Sequence, residues 1–192
     1  MRNSYLLIFA IVAAPVCASA RELSLNLDPA TTEIHFTLHD VLHTVHGNFK
    51  LKKGCIQFAP DSGKASGAIV VDVTSGASGS DARDHRMHKE ILESLRFPEA
   101  IFTPDRVEGA LAPQGQSQLD VHGVFKIHGA SHPLTLHFQV ERVGEQYNAS
   151  THFTIPYVQW GMKNPSNFLL KVDKNVEVDV NTTVNATDRP DL

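Results

Sequence analysis

From residue 30 onward, apolar and polar positions alternate along the chain. Ile34, Phe36 and Leu38 occupy one phase, and His35, Thr37 and His39 the other. The same two-residue period runs through 119–127, 134–140 and 176–184. That period predicts strands with one apolar and one wet face, which belong to antiparallel sheets. Gly- or Pro-bearing stretches separate the runs: KKG at 52–54, APDSGKASG at 59–67, APQGQ at 112–116, HGASHP at 128–133 and VGEQ at 143–146. Each predicts a turn. Counting the runs gives about eight strands, and a sheet of that size can close into a barrel and lose its exposed edges. Such a barrel is either filled by its own side chains or holds one small ligand. Periodicity alone leaves both open.

One stretch breaks the rhythm. In 83–102, RDHRMHKEILESLRFPEAIF, the apolar residues Met87, Ile91 and Leu95 fall four apart. This spacing predicts a helix of about three turns, inserted around residues 81–95. Ser80 or Asp81 can cap its start, Asp84 suits the first turn, and Pro98 marks where it has already ended.

The N-terminus adds a location. Residues 1–20 carry Arg2, an apolar run over 6–16 and the small-residue end Ala18-Ser19-Ala20, the pattern of a cleaved secretory signal. Cleavage near Ala20 would leave 21–192 as one domain, periplasmic or secreted. Cys17 follows Val16, so lipidation is not expected. No later segment is apolar for long enough to be a transmembrane helix. Of the two cysteines only Cys55 would remain, expected as a small buried hydrophobe. The tail at 185–192 is expected to fray. With 17 basic against 21 acidic residues and no basic stripe, nucleic acid is not an expected partner.

Candidate chemistry is sparse. Among eleven histidines, His35, His39, His43 and His46 cluster. Along an extended strand, His35 and His43 would lie roughly 26 Å apart. A shared metal therefore needs a hairpin near 40–42 and a further ligand; otherwise they are polar-face residues. Asp84 and His88 stand four apart and could pair on a helix to orient a general base. No G-x-S-x-G, H-E-x-x-H or C-x-x-C motif supplies a partner for them. The N-x-[ST] sequons at Asn148, Asn181 and Asn185 matter only on a eukaryotic secretory route. The aromatic residues Phe36, Phe49, Phe102, Phe125, Phe138, Phe153 and Trp160 fall mostly on apolar strand faces, as core or as cavity lining.

Several motifs together resemble the YceI-like family of periplasmic polyisoprenoid-binding proteins. DPATTEIHFTLHDVLHTVHGNF resembles its first hairpin, ending in Gly47-Asn48-Phe49. VDVTSGASGSDARDHRMH resembles its strand, Ser-bearing turn and Arg-Asp helix start, on Ser75, Gly79, Arg83 and Asp84. RFPEAIF resembles the return into a strand, and VHGVFKIHGASHPLTLHFQV a family hairpin through Gly123, Gly129, Ser131 and Pro133. One departure stands out: where members often carry Arg-x-Asp, Tyr157-Val158-Gln159 precedes Trp160-Gly161.

The resemblance implies an all-β, antiparallel, lipocalin-like barrel with a helix packed against it, an apolar tunnel for a long isoprenoid, and no catalytic residues. The lining expected from it is Phe36, Leu38, Phe49, Val71, Met87, Ile91, Phe102, Phe125, Leu136, Phe138, Phe153 and Trp160. The leading expectation is an extracytoplasmic carrier for a polyisoprenoid or similar lipid, without cofactor or metal. The alternatives are a histidine-dependent metal-binding or stress-response module, behind it an enzyme using Asp84 and His88, and last a filled barrel that binds a protein partner. Pairing of two copies into a homodimer, through a surface strand or the helix, stays open.

Overall fold

Alternation becomes architecture through pairing. The computed structural model describes residues 22–41, 43–167 and 171–189. The expected signal at 1–20 and the last three residues lie outside that range. The described residues form nine strands: β1 Glu22–Leu27, β2 Thr32–His39, β3 Thr44–Ala59, β4 Lys64–Ala77, β5 Glu99–Glu108, β6 Gly115–Ile127, β7 Ala130–Val143, β8 Gln146–Ile155 and β9 Val176–Arg189. Every pairing is antiparallel.

The nine strands fill eight positions. β1 and β2 both lie between β3 and β9, one at each end: Leu25 faces Ile56 and Ala186, while Phe36 faces Gly47 and Val178. They are one barrel position, interrupted by the turn at 28–31. Pairing of β3 with β4 then closes the ring. This is the expected all-β antiparallel barrel.

One turn expectation changes, and so does the expected fraying of the tail. KKG at 52–54 lies inside β3 and is no hairpin. The register against β4 slips between Leu51 and Lys53, so a bulge here reverses which parity faces inward. Leu51 is buried, and beyond the slip Gly54, Ile56 and Phe58 are buried instead. Cys55 is therefore exposed, correcting its expected burial. At the other end of the chain, 185–189 is not frayed but pairs with β1. By contrast, the β6–β7 turn matches its sequence. His128 and Gly129 both have positive φ, 51° and 78°, as a tight two-residue hairpin turn demands.

The expected helix is shorter and differently wound. An α-helix, α1, covers Asp81–Arg86 and passes into a π-helical turn at Met87–Ile91. The Leu92 N–H bonds back five residues to the Met87 carbonyl. That wider turn puts Leu92 on the face of Met87 and Ile91. The chain then leaves helical geometry at Glu93, whose φ is 45°. Leu95, expected on the apolar stripe, is 99% exposed.

The interior has two unequal parts. At one end Leu23, Phe58, Val107, Leu119, Val140, Tyr147 and Val184 pack into a plug. Toward the other end lies the larger cluster around Ile34, Phe102, Phe125, Leu136 and Val178. Two segments cover that second end: α1 with its π turn, and the β8–β9 connection. Lys163 Nζ meets Glu90 Oε2 at 2.8 Å, and Arg86 donates to the Pro165 carbonyl at 3.1 Å. The Lys163 ammonium holds the Glu90 carboxyl below its usual range. Within the connection, the buried Tyr157 hydroxyl donates to the Asp173 carbonyl at 2.6 Å. Burial, with the Asp173 charge nearby, pushes its pKa up to about 12.

Two outcomes are expected from this packing. Gly47 has no room for a side chain, since a Cβ there would meet the Phe36 ring and the Ala77 carbonyl. Gly47→Ala should cost about 2 kcal/mol or more, read as a lower midpoint in thermal unfolding. Tyr157 should make stability fall at high pH. Its phenol ionises near 10 when unfolded but only near 12 when folded. Its contribution is thus complete below pH 10 and lost as pH rises from about 10 to 12. In alkaline denaturation curves, Tyr157→Phe should show a shallower decline across that window. An identical decline in both proteins would count against the assignment.

Candidate functional site

Inward-facing side chains of the larger cluster do not meet at the barrel axis. They surround a cavity of about 590 Å³, within the range of small-molecule sites. Its extent settles what periodicity left open: the barrel is filled at the plug end and hollow toward α1.

Each strand position contributes to the wall. β2 supplies Phe36 and Leu38, β3 Phe49, β4 Val71, β5 Phe102, β6 Phe125, β7 Leu136 and Phe138, and β8 Phe153. Met87 and Ile91 reach it from the helical segment. The Phe36 and Phe49 rings pack tilted, their centroids 5.3 Å apart. Of the twelve residues expected to line a cavity, eleven stand on this wall. Trp160 does not. It lies in the β8–β9 connection, stacked on His132 at 4.0 Å and tilted against Phe125.

The cavity also has lining that alternation did not single out. Tyr157, Met162, Pro165 and Val172 belong to the β8–β9 connection, whose sequence carries no period. Leu92 joins through the π turn. Thr32, Thr151 and Thr182 are polar residues on the inward phase of β2, β8 and β9. The charged residues on the lining, Asp40, Arg83 and Arg86, are confined to the covered end, together with Ser78 and Ser80. Ala82, Arg83 and Arg86 are exposed, so the cavity reaches the surface beside α1.

The turn into α1 is fixed by side chains. The Asp84 carboxylate accepts hydrogen bonds from the Ser78 N–H and the Ser78 hydroxyl. Arg83 Nε donates to the Ser78 hydroxyl at 2.7 Å, and its Nη2 to the Ser78 carbonyl at 2.9 Å. Ser80 occupies the cap position without a side-chain hydrogen bond. Ser75 works one strand earlier. Its hydroxyl donates to the Asp72 carbonyl and accepts the Lys50 N–H at 2.8 Å, where the β3–β4 register breaks. Ser75, Arg83 and Asp84 therefore shape the barrel end through their hydrogen bonds.

The other candidate constellations come apart. Asp84 is engaged with Ser78 and does not touch His88. His88 instead spans Ser94 Oγ at 3.0 Å and the Gly76 carbonyl at 2.8 Å, pinning the helical segment to β4. It is not on the cavity wall. The hairpin that a metal site required does form, with Asp40 N bonded to the His43 carbonyl. Yet His39 faces Thr44, His46 faces Thr37, and His35 and His43 pair with Glu33 and Asp40. Among the described residues, no three His, Cys, Asp or Glu side chains come together as a metal site. Nor is any described helix long and apolar enough to cross a membrane.

Comparison with known proteins agrees with this geometry. The YceI-like domain profile matches residues 25–184. A UPF0312 protein of Vibrio cholerae serotype O1 is 24% identical over 139 residues, covering 71% of each chain. BcnA of Burkholderia cenocepacia shares the fold with a TM-score of 0.65 at 16% identity, over 82% of this chain and 98% of that one. A domain from Saccharophagus degradans, described as polyisoprenoid binding and implicated in plant cell wall breakdown, gives 0.63 at 16% identity over 88% and 99%. With the profile spanning nearly all of the barrel, the chain belongs to the YceI-like family.

Proposed function

We propose that this protein binds a long apolar molecule, a polyisoprenoid or a lipid close to it, inside the barrel. The observation that carries the reading is the 590 Å³ cavity with its aromatic and branched aliphatic wall. A void of this kind suits water badly, because water needs two to four polar partners. It suits hydrocarbon well, since each buried methylene contributes about 0.8 kcal/mol. Wall atoms facing empty space also lack dispersion partners, so an occupant stabilises the fold it enters.

Binding is the whole activity in this reading. Among the described residues the cavity wall is mostly hydrocarbon, and the role needs no cofactor, metal or nucleic acid. The description of the Saccharophagus degradans domain supports the ligand class. The signal-like pattern of residues 1–20 supports a carrier or sequestering role outside the cytoplasm.

Solvent extraction of protein purified under native conditions, followed by mass spectrometry, should yield a stoichiometric apolar lipid. Adding a polyisoprenoid to stripped protein should raise its unfolding temperature. Protein that is lipid-free as purified and indifferent to added polyisoprenoid would end the proposal. Leu136→Trp should place an indole in the cavity and displace roughly two methylenes of ligand. We expect about a tenfold loss of affinity from that, with the unfolding temperature of the stripped protein held or raised.

A further inference from the structure

The wall of the cavity is hydrocarbon along most of its depth, and its polar exceptions fall at two levels. One is the rim beside α1. The other lies deep, just above the plug. There Thr182 of β9 faces Thr32 of β2 on one side and Ala149 of β8 on the other. Thr151 stands one same-face position from Ala149, flanked by Phe138 and Val180. The next inward pair, Tyr147 with Val184, already belongs to the plug. The three threonines are therefore the floor.

Their hydroxyls are under-used. Thr32 Oγ1 and Thr182 Oγ1 lie 2.7 Å apart and share one hydrogen bond, so whichever accepts keeps its own proton free. Thr151 is 5% exposed, and its Oγ1 has no hydrogen-bond partner among the described residues. A buried hydroxyl without a partner destabilises the fold. Valine has nearly the same shape without that cost, and it fills the neighbouring inward positions of β9 at 178, 180 and 184.

We propose that Thr151, with Thr32 and Thr182, forms a hydrogen-bonding subsite for a neutral oxygen at the deep end of the ligand. Resting on the cavity's assignment to an apolar chain, it adds a polarity and a direction. The ligand is a chain ending in an alcohol or carbonyl oxygen, buried oxygen first, with its hydrocarbon running toward the rim. A rotation about the Thr151 Cα–Cβ bond, between ordinary staggered positions, turns its hydroxyl to that oxygen. The floor suits a neutral group because every charged residue of the lining, Asp40, Arg83 and Arg86, is at the rim. A diphosphate placed on the floor would be buried without a counter-charge.

The test compares geranylgeraniol with the same C20 hydrocarbon carrying hydrogen in place of its hydroxyl. Binding to the stripped full-length protein is read from the fluorescence of Trp160, the chain's one tryptophan. Wild type should prefer the alcohol by about tenfold, one well-made hydrogen bond. Thr151→Val should bind the hydrocarbon as before and lose the preference, whereas Thr151→Ser should keep it. Thr182→Val offers a second, independent removal of a floor hydroxyl and should also narrow the gap. An undiminished preference in both valine variants would overturn the subsite and move the oxygen to the rim, near Ser78 and Ser80. Equal binding of both probes by wild type would overturn it too, while leaving the cavity assignment intact. Failure of wild type to bind either probe would defeat the cavity assignment itself.

Discussion

Closure of the sheet between β3 and β4 is the constraint on which the rest depends. Once the ring is complete, every strand has two neighbours and every inward side chain shares one interior. Eight positions give an interior whose width the sequence cannot choose freely. What it can choose is how much of the depth to fill. At one end, phenylalanine, tyrosine and leucine from different strands meet and fill it. At the other, residues no smaller line the wall but leave the axis open. Hollowness here follows from where large side chains stand, since their sizes are alike at both ends.

The helical segment answers a problem that closure creates. A barrel hollow toward one end would present its apolar lining to water there. α1, its π turn and the β8–β9 connection cover that end without filling it. The cover is held by polar contacts at its margins, His88 on Gly76 and Ser94, Lys163 on Glu90 and Arg86 on Pro165. Its underside offers Met87, Ile91, Leu92 and Met162 to the cavity. Charged, imidazole-rich residues thus do structural work on the outside of a site whose inner surface is hydrocarbon.

Much of this was legible in the chain. The strands with strict alternation, 34–38, 119–127, 134–140 and 176–184, kept their faces, and with them came most of the cavity wall. Two of the misreadings share one cause: period arguments assume unbroken local geometry. A single inserted residue near Lys52 turned Cys55 outward. One wide turn replaced Leu95 with Leu92. Asp84 and His88 stood at the right spacing to meet, but Ser78 and Gly76, from the preceding strand and turn, took them first. The connection after β8 has no period, so Tyr157 and Met162 gave no sign, whereas Trp160, the conspicuous aromatic, stands aside. Thr32, Thr151 and Thr182 did leave a signal, as hydroxyls on an apolar phase. Noticing it requires asking why valine is absent there.

The plug at the far end gives the cavity a blind bottom, and among the described residues the route out passes beside α1. For a linear guest longer than it is wide, a cul-de-sac imposes a sequence of events. A terminus that enters first and keeps its orientation is the last to come out. Release of such a guest would begin with the terminus lying at the opening. A through-running bore would allow entry and exit at opposite ends; a bore closed at one end allows only a sheath.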